Sequence, residues 1–255
     1  MKIIDTHTHL YLNQFKEDID DVIARAKEIG IKKFIFPAID SSHFDSMHSL
    51  KNKYPKEIYL MSGLHPTDVK ENYKDELEFV ENTLKTFDYV AIGEIGIDLY
   101  WDINYLTQQQ EAFKFQIRLA IKHDLPIVIH CREAFNEIFE ILDKENCDKF
   151  RGVFHCFTGT FEEAQRAIDL GFVLGIGGVV TFKNGGIDKF LHKIDLKNIV
   201  LETDSPYLAP VPFRGKRNES SYIIYVIEKL AEIYGLSKEE IADVTTKNAE
   251  KVFAL

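Results

Sequence analysis

The stretch Ile3-Ile4-Asp5-Thr6-His7-Thr8-His9-Leu10 sets two apolar β-branched residues ahead of Asp5, His7 and His9. Side chains two apart on a strand share a face, so the pattern predicts a first strand with a carboxylate and two imidazoles on one side. A divalent ion needs several convergent ligands, and one strand cannot supply four. Alone, such a His-x-His reads equally well as the polar, frayed end of an edge strand. What decides between the two is whether later strands also end in ligands.

They do. Residues 15–30 place Phe15, Ile19, Val22, Ile23, Ala26 and Ile29 at helical spacing, with Gly30 as the C-cap. Residues 33–39 form a short apolar run, 44–53 a weaker helix, and 58–64 a third strand leading to His65 and Pro66. A periodic helix at 73–87 precedes the run 89–92, which ends in Gly93 and Glu94. The helix at 108–123 leads through Pro126 to Ile127-Val128-Ile129-His130. Residues 135–142 read as helix, Gly152-Val153-Phe154-His155 as strand, and 161–170 as helix. A seventh strand at 172–176 and a short helix at 187–194 precede an eighth strand, Ile199-Val200-Leu201-Glu202, which runs into Thr203 and Asp204. Residues 222–234 close the round with a helix, and 238–255 read as one or two extra helices packed outside it.

Eight strands alternating with helices over 255 residues predict an α/β fold, a (β/α)8 TIM barrel forming a single domain over 1–255, ahead of a doubly wound open sheet. Parallel barrel strands end at one face. His7, His9, Glu94, His130, His155 and Asp204 are therefore expected to ring one mouth, from strands one, four, five, six and eight. These are more ligands than one tetrahedral ion needs and enough for two ions about 3.5–4 Å apart. Glu94 is the bridging candidate, because a carboxylate has two oxygens. His7, His9 and Asp204 are assigned to one ion, and His130 and His155 to the other. Water between two cations becomes a nucleophile near neutral pH, which points to hydrolysis, with Asp204 and Glu94 as the catalytic carboxylates and Asp204 as ligand, general base or both. Asp5 faces the same way as the histidines but sits deeper, which predicts a hydrogen-bonding role behind the ligands.

With 45% hydrophobic and 28% charged residues, the chain has the composition of a globular protein with one sizeable core. It shows neither an apolar signal core at its start nor a run long enough to span a bilayer, so membrane and export are not expected. Cys131, Cys147 and Cys156 form no paired framework, which suits a reducing cytoplasm, and they read as small buried hydrophobes. Cys131 and Cys156 each follow a ligand histidine, so alternation turns them away from the metals and a thiolate mechanism is not expected. The net charge of −10 argues against a broad basic face that coats nucleic acid, yet a few arginines and bound cations can still make a cleft attractive to phosphate.

The candidates for such contacts are His65, Arg132, Arg214 and Arg217, with Lys216 beside them, since an arginine fork matches a phosphate. The 214–217 cluster also reads as an ordinary solvated loop. Tyr100, Trp101 and Tyr105 either stack on bases or cover the helical layer, and the second reading is preferred. His43, His48, His123 and His192 are assigned structural or surface roles.

Seven ordered motifs then carry a resemblance. They are Asp5-Thr-His-Thr-His9, Gly63-Leu-His-Pro66, Gly93-Glu-Ile-Gly-Ile-Asp98, Val128-Ile-His-Cys-Arg-Glu133, His155-Cys-Phe-Thr-Gly159, Leu201-Glu-Thr-Asp-Ser-Pro206 and Arg214-Gly-Lys-Arg-Asn-Glu219. Together they resemble the TatD-type metal-dependent deoxyribonucleases, a branch of the amidohydrolase-like barrels, over essentially the whole chain. The resemblance places the family's metal positions on His7, His9, Glu94, His130, His155 and Asp204. It implies two divalent ions (Mg, Mn or Zn, with Ni or Co as further options), a DNA or oligonucleotide substrate cut at phosphodiester bonds, often from a 3′ end, and no obligate protein partner. Leu99 stands where the family usually has an aromatic, and Ser220 where it usually has proline.

Two other functions fit the same residues. A hydrolase of amides or carboxylic esters, such as lactones or aminoacyl esters, would use the same centre with less positive charge at the mouth. A non-catalytic binding protein would keep a metal only for structure, in a closed and usually mononuclear site.

Overall fold

The apolar runs form β1 (Ile3–Asp5), β2 (Ile31–Phe36), β3 (Ile58–Ser62), β4 (Ala91–Asp98), β5 (Ile127–Arg132), β6 (Gly152–Phe154), β7 (Phe172–Ile176) and β8 (Ile199–Leu201). The computed structural model describes residues 1–101, 103–145 and 150–255; Cys147 lies outside them. The strands pair in chain order as one eight-stranded sheet, with every ladder parallel. A Thr8–Ser205 bridge and a 3.0 Å bond from Thr6 N–H to Leu201 O bring the first segment against the last, which nearly closes the barrel. This is the (β/α)8 TIM barrel.

Between the strands run α1 (Ile19–Glu28), α2 (Phe44–Lys53), α3 (Tyr73–Thr83), α4 (Leu106–His123), α5 (Phe135–Lys144) and α6 (Phe161–Asp169), followed after β8 by α7 (Ile223–Tyr234) and α8 (Lys238–Phe253). Helices on the outer face and packed side chains inside leave the strands buried on both sides, which is why they read as near-continuous apolar runs. α6 and α8 start on full capping boxes, Thr160 with Glu163 and Ser237 with Glu240.

Four expectations are corrected. The strand read over 3–10 ends at Asp5, and residues 6–9 instead track the chain beyond β8, with His9 N–H donating to Ser205 O at 2.7 Å. β4 does not stop at Glu94 but continues to Asp98. The helix expected at 187–194 is two 3-10 turns, Ile187–Lys189 and Leu191–Lys193; behind Gly185 and Gly186 the segment is too short to offset helix nucleation. The last segment is one helix, α8, and it does not lie outside the round. Its Ala249, Val252 and Phe253 join Ile4, Ile35, Met61, Val128, Val153 and Val200 in one buried cluster and seal the barrel floor. Among the described residues no helix is long and apolar enough to cross a membrane.

The floor sets the site above it. Val128 and Val153 lie two residues before His130 and His155, so alternation puts both histidines on the inner face one layer up. Glu94 is placed by a different device. The β4–β5 register shifts between Ile92 and Ile95, and Gly93 and Glu94 turn instead to the chain after β2, exchanging bonds with Ala38 at 3.0 and 3.2 Å. Only glycine fits at 93, where a Cβ would meet Val128 Cβ at 2.8 Å and Met61 Sδ at 2.9 Å.

Candidate metal centre

Glu94, 2% exposed, stands in the middle of the mouth. Its Oε1 lies 2.8 Å from His130 Nδ1, 3.4 Å from His65 Nε2 and 3.6 Å from His155 Nε2. Its Oε2 lies 3.0 Å from His7 Nε2 and 3.8 Å from His9 Nε2. Asp204 faces it from the end of β8, with Oδ1 3.4 Å from His9 Nε2 and 3.9 Å from both His7 and His155 Nε2. The rings of His7 and His155 stack at 3.5 Å between centroids. Four sets of donor atoms converge among the described residues: His7, His9 and Glu94; His7, His155 and Asp204; His65, Glu94 and His130; and His155, Cys156 and Glu202.

The electrostatics follow from packing imidazoles around buried carboxylates. Burial alone would push the Glu94 carboxyl up, but His155, His7 and His65 outweigh it and hold Glu94 well below its ordinary range. Burial opposes charge on His155, yet Glu202, Glu94 and Asp204 lift it to about 10. His130 rises to about 8 against its own burial, through Asp98 and Glu94. His7 moves the other way, lowered by burial and by its neighbour His155. Its buried Nδ1 has no hydrogen-bond partner among the described residues. Carboxylates that stay charged despite burial, beside His130 and His155 rings that hold protons against it, fit a divalent cation, whose charge would take those protons' place.

Behind the donors stands a supporting layer that reading the sequence missed in part. Asp98 Oδ2 lies 2.8 Å from His130 Nε2, and Asp98 Oδ1 accepts from Tyr100 and Trp101 N–H at 2.9 and 2.8 Å. Glu202, fully buried, accepts from Cys156 N–H at 2.6 Å and stands 3.0 Å from His155 Nδ1. His9 Nδ1 pairs with Tyr11 Oη at 2.8 Å, and that hydroxyl donates to Pro37 O. Asp98 was legible as a carboxylate four positions beyond Glu94, and Glu202 as a charge closing an otherwise apolar strand. Asp5 accepts from Thr203 N–H at 3.0 Å and Oγ1–H at 2.7 Å, which ties the first segment to the turn that presents Asp204.

The cleft over this cluster has a volume of about 850 Å³, and His65, Arg132, Arg214 and Lys216 line it. The Arg132 guanidinium sits 3.9 Å over the Tyr100 ring and that of Arg214 3.5 Å over Phe182. His65 Nδ1 lies 2.6 Å from Thr67 Oγ1, which fixes the ring with Nε2 facing Glu94 at 3.4 Å.

Other assignments change. Arg217 does not face the cleft: it donates to both oxygens of Asp18 at 2.8 and 2.6 Å and packs over Phe15, because a carboxylate distant in sequence is nearer than the mouth. His43, read as peripheral, lines the cleft, as does Trp101, read as covering helices, while Tyr105 pairs with Glu71 instead. Cys156 lies beyond β6 with φ +43°, so strand alternation no longer applies and its thiol stays near His155 and Glu202. Burial and the Glu202, Asp204 and Glu94 charges raise that thiol well above its ordinary value, which keeps it protonated. Cys131, by contrast, packs against the main hydrophobic core and is absent from the donor clusters.

Arg217 has a measurable role where it is. Arg25 binds Glu219 at 2.9 and 2.6 Å beside the Arg217–Asp18 pair, clamping the loop after β8 to α1. Burial would raise the Glu219 carboxyl, but Arg25 and Ser221 hold it below its ordinary value, and Arg217 does the same for Asp18. Carboxyls depressed in the fold add stability that is complete above their unfolded values near ~4 and is lost as pH falls through the folded ones. Arg217→Ala should therefore cost about 1 kcal/mol at pH 7, since the pair is partly exposed, and flatten the acid limb of a Tm-against-pH curve. An unchanged acid limb would contradict the clamp.

A parallel barrel that converges imidazoles and carboxylates at the C-terminal ends of its strands belongs to the class of metal-dependent hydrolases. Within that class, the chain belongs to the TatD-related DNase family, whose model matches residues 4–254. It is 38% identical over 254 residues to the metal-dependent hydrolase YabD of Bacillus subtilis, covering 99% of each chain. It is 32% identical over 260 residues to the 3′-5′ ssDNA/RNA exonuclease TatD of Citrobacter rodentium, covering 99% of this chain and 98% of that one. A TatD homologue of known structure from Escherichia coli superimposes with a TM-score of 0.93 at 29% identity, covering 99% of this chain and 98% of that one.

Proposed function

We propose that the protein is a deoxyribonuclease that uses two divalent cations to hydrolyse phosphodiester bonds, shortening single-stranded DNA from its 3′ end. The observation that supports this most is Glu94, which turns one oxygen to His7 and His9 and the other to His65 and His130, beneath a cleft lined by Arg132, Arg214 and Lys216. The Citrobacter rodentium relative, named for that activity, supports the substrate.

In this reading His7, His9 and Asp204 would hold one cation and His130 and His155 the other, with a Glu94 oxygen turned toward each set. Bound there, the cations supply a water of near-neutral pKa and neutralise charge on a phosphoryl oxygen. The chain's own residues do the rest. Asp204, whose Oδ1 lies 3.4 Å from His9 Nε2 and 3.9 Å from His155 Nε2, is placed to take the proton of a water at this centre. His65 and the Arg132 and Arg214 guanidiniums orient the phosphate. Asp98 and Glu202 fix the rings of His130 and His155.

The test offers end-labelled single-stranded DNA, RNA, aryl esters and amides to metal-stripped enzyme refilled with Mg²⁺, Mn²⁺ or Zn²⁺. Stepwise shortening of DNA from its 3′ end, abolished by chelator, is expected. Ester or amide turnover without DNA cleavage would overturn the proposal in favour of a carboxylic-ester or amide hydrolase at the same centre. Metal retention with no turnover would favour a binding protein. Arg132→Ala and Arg214→Ala should each raise KM for DNA about tenfold and alter kcat less, since each removes a charge-assisted phosphate contact. Unchanged KM in both would remove the basis for a phosphate substrate.

A further inference from the structure

The turn after β4 presents aromatic surface to water beside the cleft. Trp101 is 68% exposed and Tyr100 52%, although aromatic rings of this size ordinarily bury most of their area. The turn is nonetheless built. One oxygen of Asp98 accepts the N–H groups of both Tyr100 and Trp101, and the other lies 2.8 Å from His130 Nε2. A single buried carboxylate therefore fixes the aromatic turn relative to the catalytic cluster.

The side chains are ordered as well. The two rings meet at 90° with centroids 5.0 Å apart, and Arg132 sits 3.9 Å over Tyr100 and 5.6 Å from Trp101. Tyr100 and Arg132 thus brace one another, and the more exposed ring, Trp101, lines the cleft. The same cleft is lined by Arg214, Tyr207 and Leu208, the last two 48% and 38% exposed. A π-face next to a guanidinium matches a nucleotide, which has a flat base and a phosphate one sugar away.

We infer that Trp101, braced by Tyr100 and Arg132, is a stacking shelf for an unpaired base next to the scissile phosphate of single-stranded DNA. The inference rests on the nuclease reading above. Duplex bases already stack on one another, so the shelf selects a strand whose terminal bases are free. The same contact would tolerate any base, because every base has a π-face.

Trp101 is the only tryptophan in the chain, so its emission reports on this shelf alone. Metal-loaded protein is titrated with a phosphorothioate oligothymidylate and with an abasic chain of the same length, each carrying a 5′ fluorophore. Anisotropy of the fluorophore follows binding while tryptophan emission follows stacking. The oligothymidylate should quench Trp101 by about half or more and the abasic chain hardly at all. Trp101→Ala should weaken the oligothymidylate about tenfold and the abasic chain less than about twofold, with Trp101→Phe restoring most of the loss. Circular dichroism checks that both variants fold. Oligothymidylate binding without quenching, and equally tight in Trp101→Ala, would overturn the shelf and leave the nuclease reading intact. If neither chain binds and DNA is not shortened, the nuclease reading falls and the shelf with it.

Discussion

Glu94→Gln is expected to lower kcat/KM for DNA on the order of a thousandfold or more and to reduce bound metal in the same preparation. The amide has the shape of the carboxylate, so the barrel should fold. It has one oxygen instead of two and no negative charge, and Glu94 makes the short contacts to both sets of imidazoles, 2.8 Å to His130 and 3.0 Å to His7. Metal content by mass spectrometry and turnover should fall together. Wild-type turnover with unchanged metal content would remove Glu94 from the centre.

Glu202→Ala should weaken metal binding by roughly 10- to 100-fold, although Glu202 is not assigned as a ligand. Its carboxylate accepts from Cys156 N–H and stands behind His155 Nδ1, so truncation leaves a half-buried N–H without its partner and the ring free to turn. The lost hydrogen bond should also cost about 1 kcal/mol of stability. Gly175→Ala reaches the same carboxylate from the neighbouring strand, since a Cβ there would lie 2.2 Å from Glu202 Oε2. Calorimetric titration with Zn²⁺ and thermal melts check both variants. Native metal affinity in both would show that His155 needs no support from Glu202.

The clustered imidazoles and carboxylates are legible in the sequence because most of them follow an apolar run. Val128 to His130 and Val153 to His155 keep strand alternation, so the inner face can be counted directly from the sequence. Glu94 was legible as a residue, but its position comes from a register shift that alternation does not reveal. The same irregularity made β4 read as ending at Glu94, which hid the role of Asp98. Glu202 was hidden for a different reason: its space is made by Gly175 on the adjacent strand, a pairing only the fold brings about. Arg217 was read as a phosphate donor from its basic neighbours, whereas its partner, Asp18, comes from the opposite end of the chain. Helix α8 shows the reverse limit, since its amphipathic pattern announces a helix but not that it plugs the barrel floor.

The pairing of two cations across Glu94 is tested most directly by titrating metal-stripped enzyme with Mn²⁺ and reading electron paramagnetic resonance and DNA turnover on the same samples. The predicted result is an exchange-coupled signal that grows in with the second equivalent, with turnover rising alongside it. Full turnover at one equivalent, with only an uncoupled Mn²⁺ signal, would contradict a shared centre.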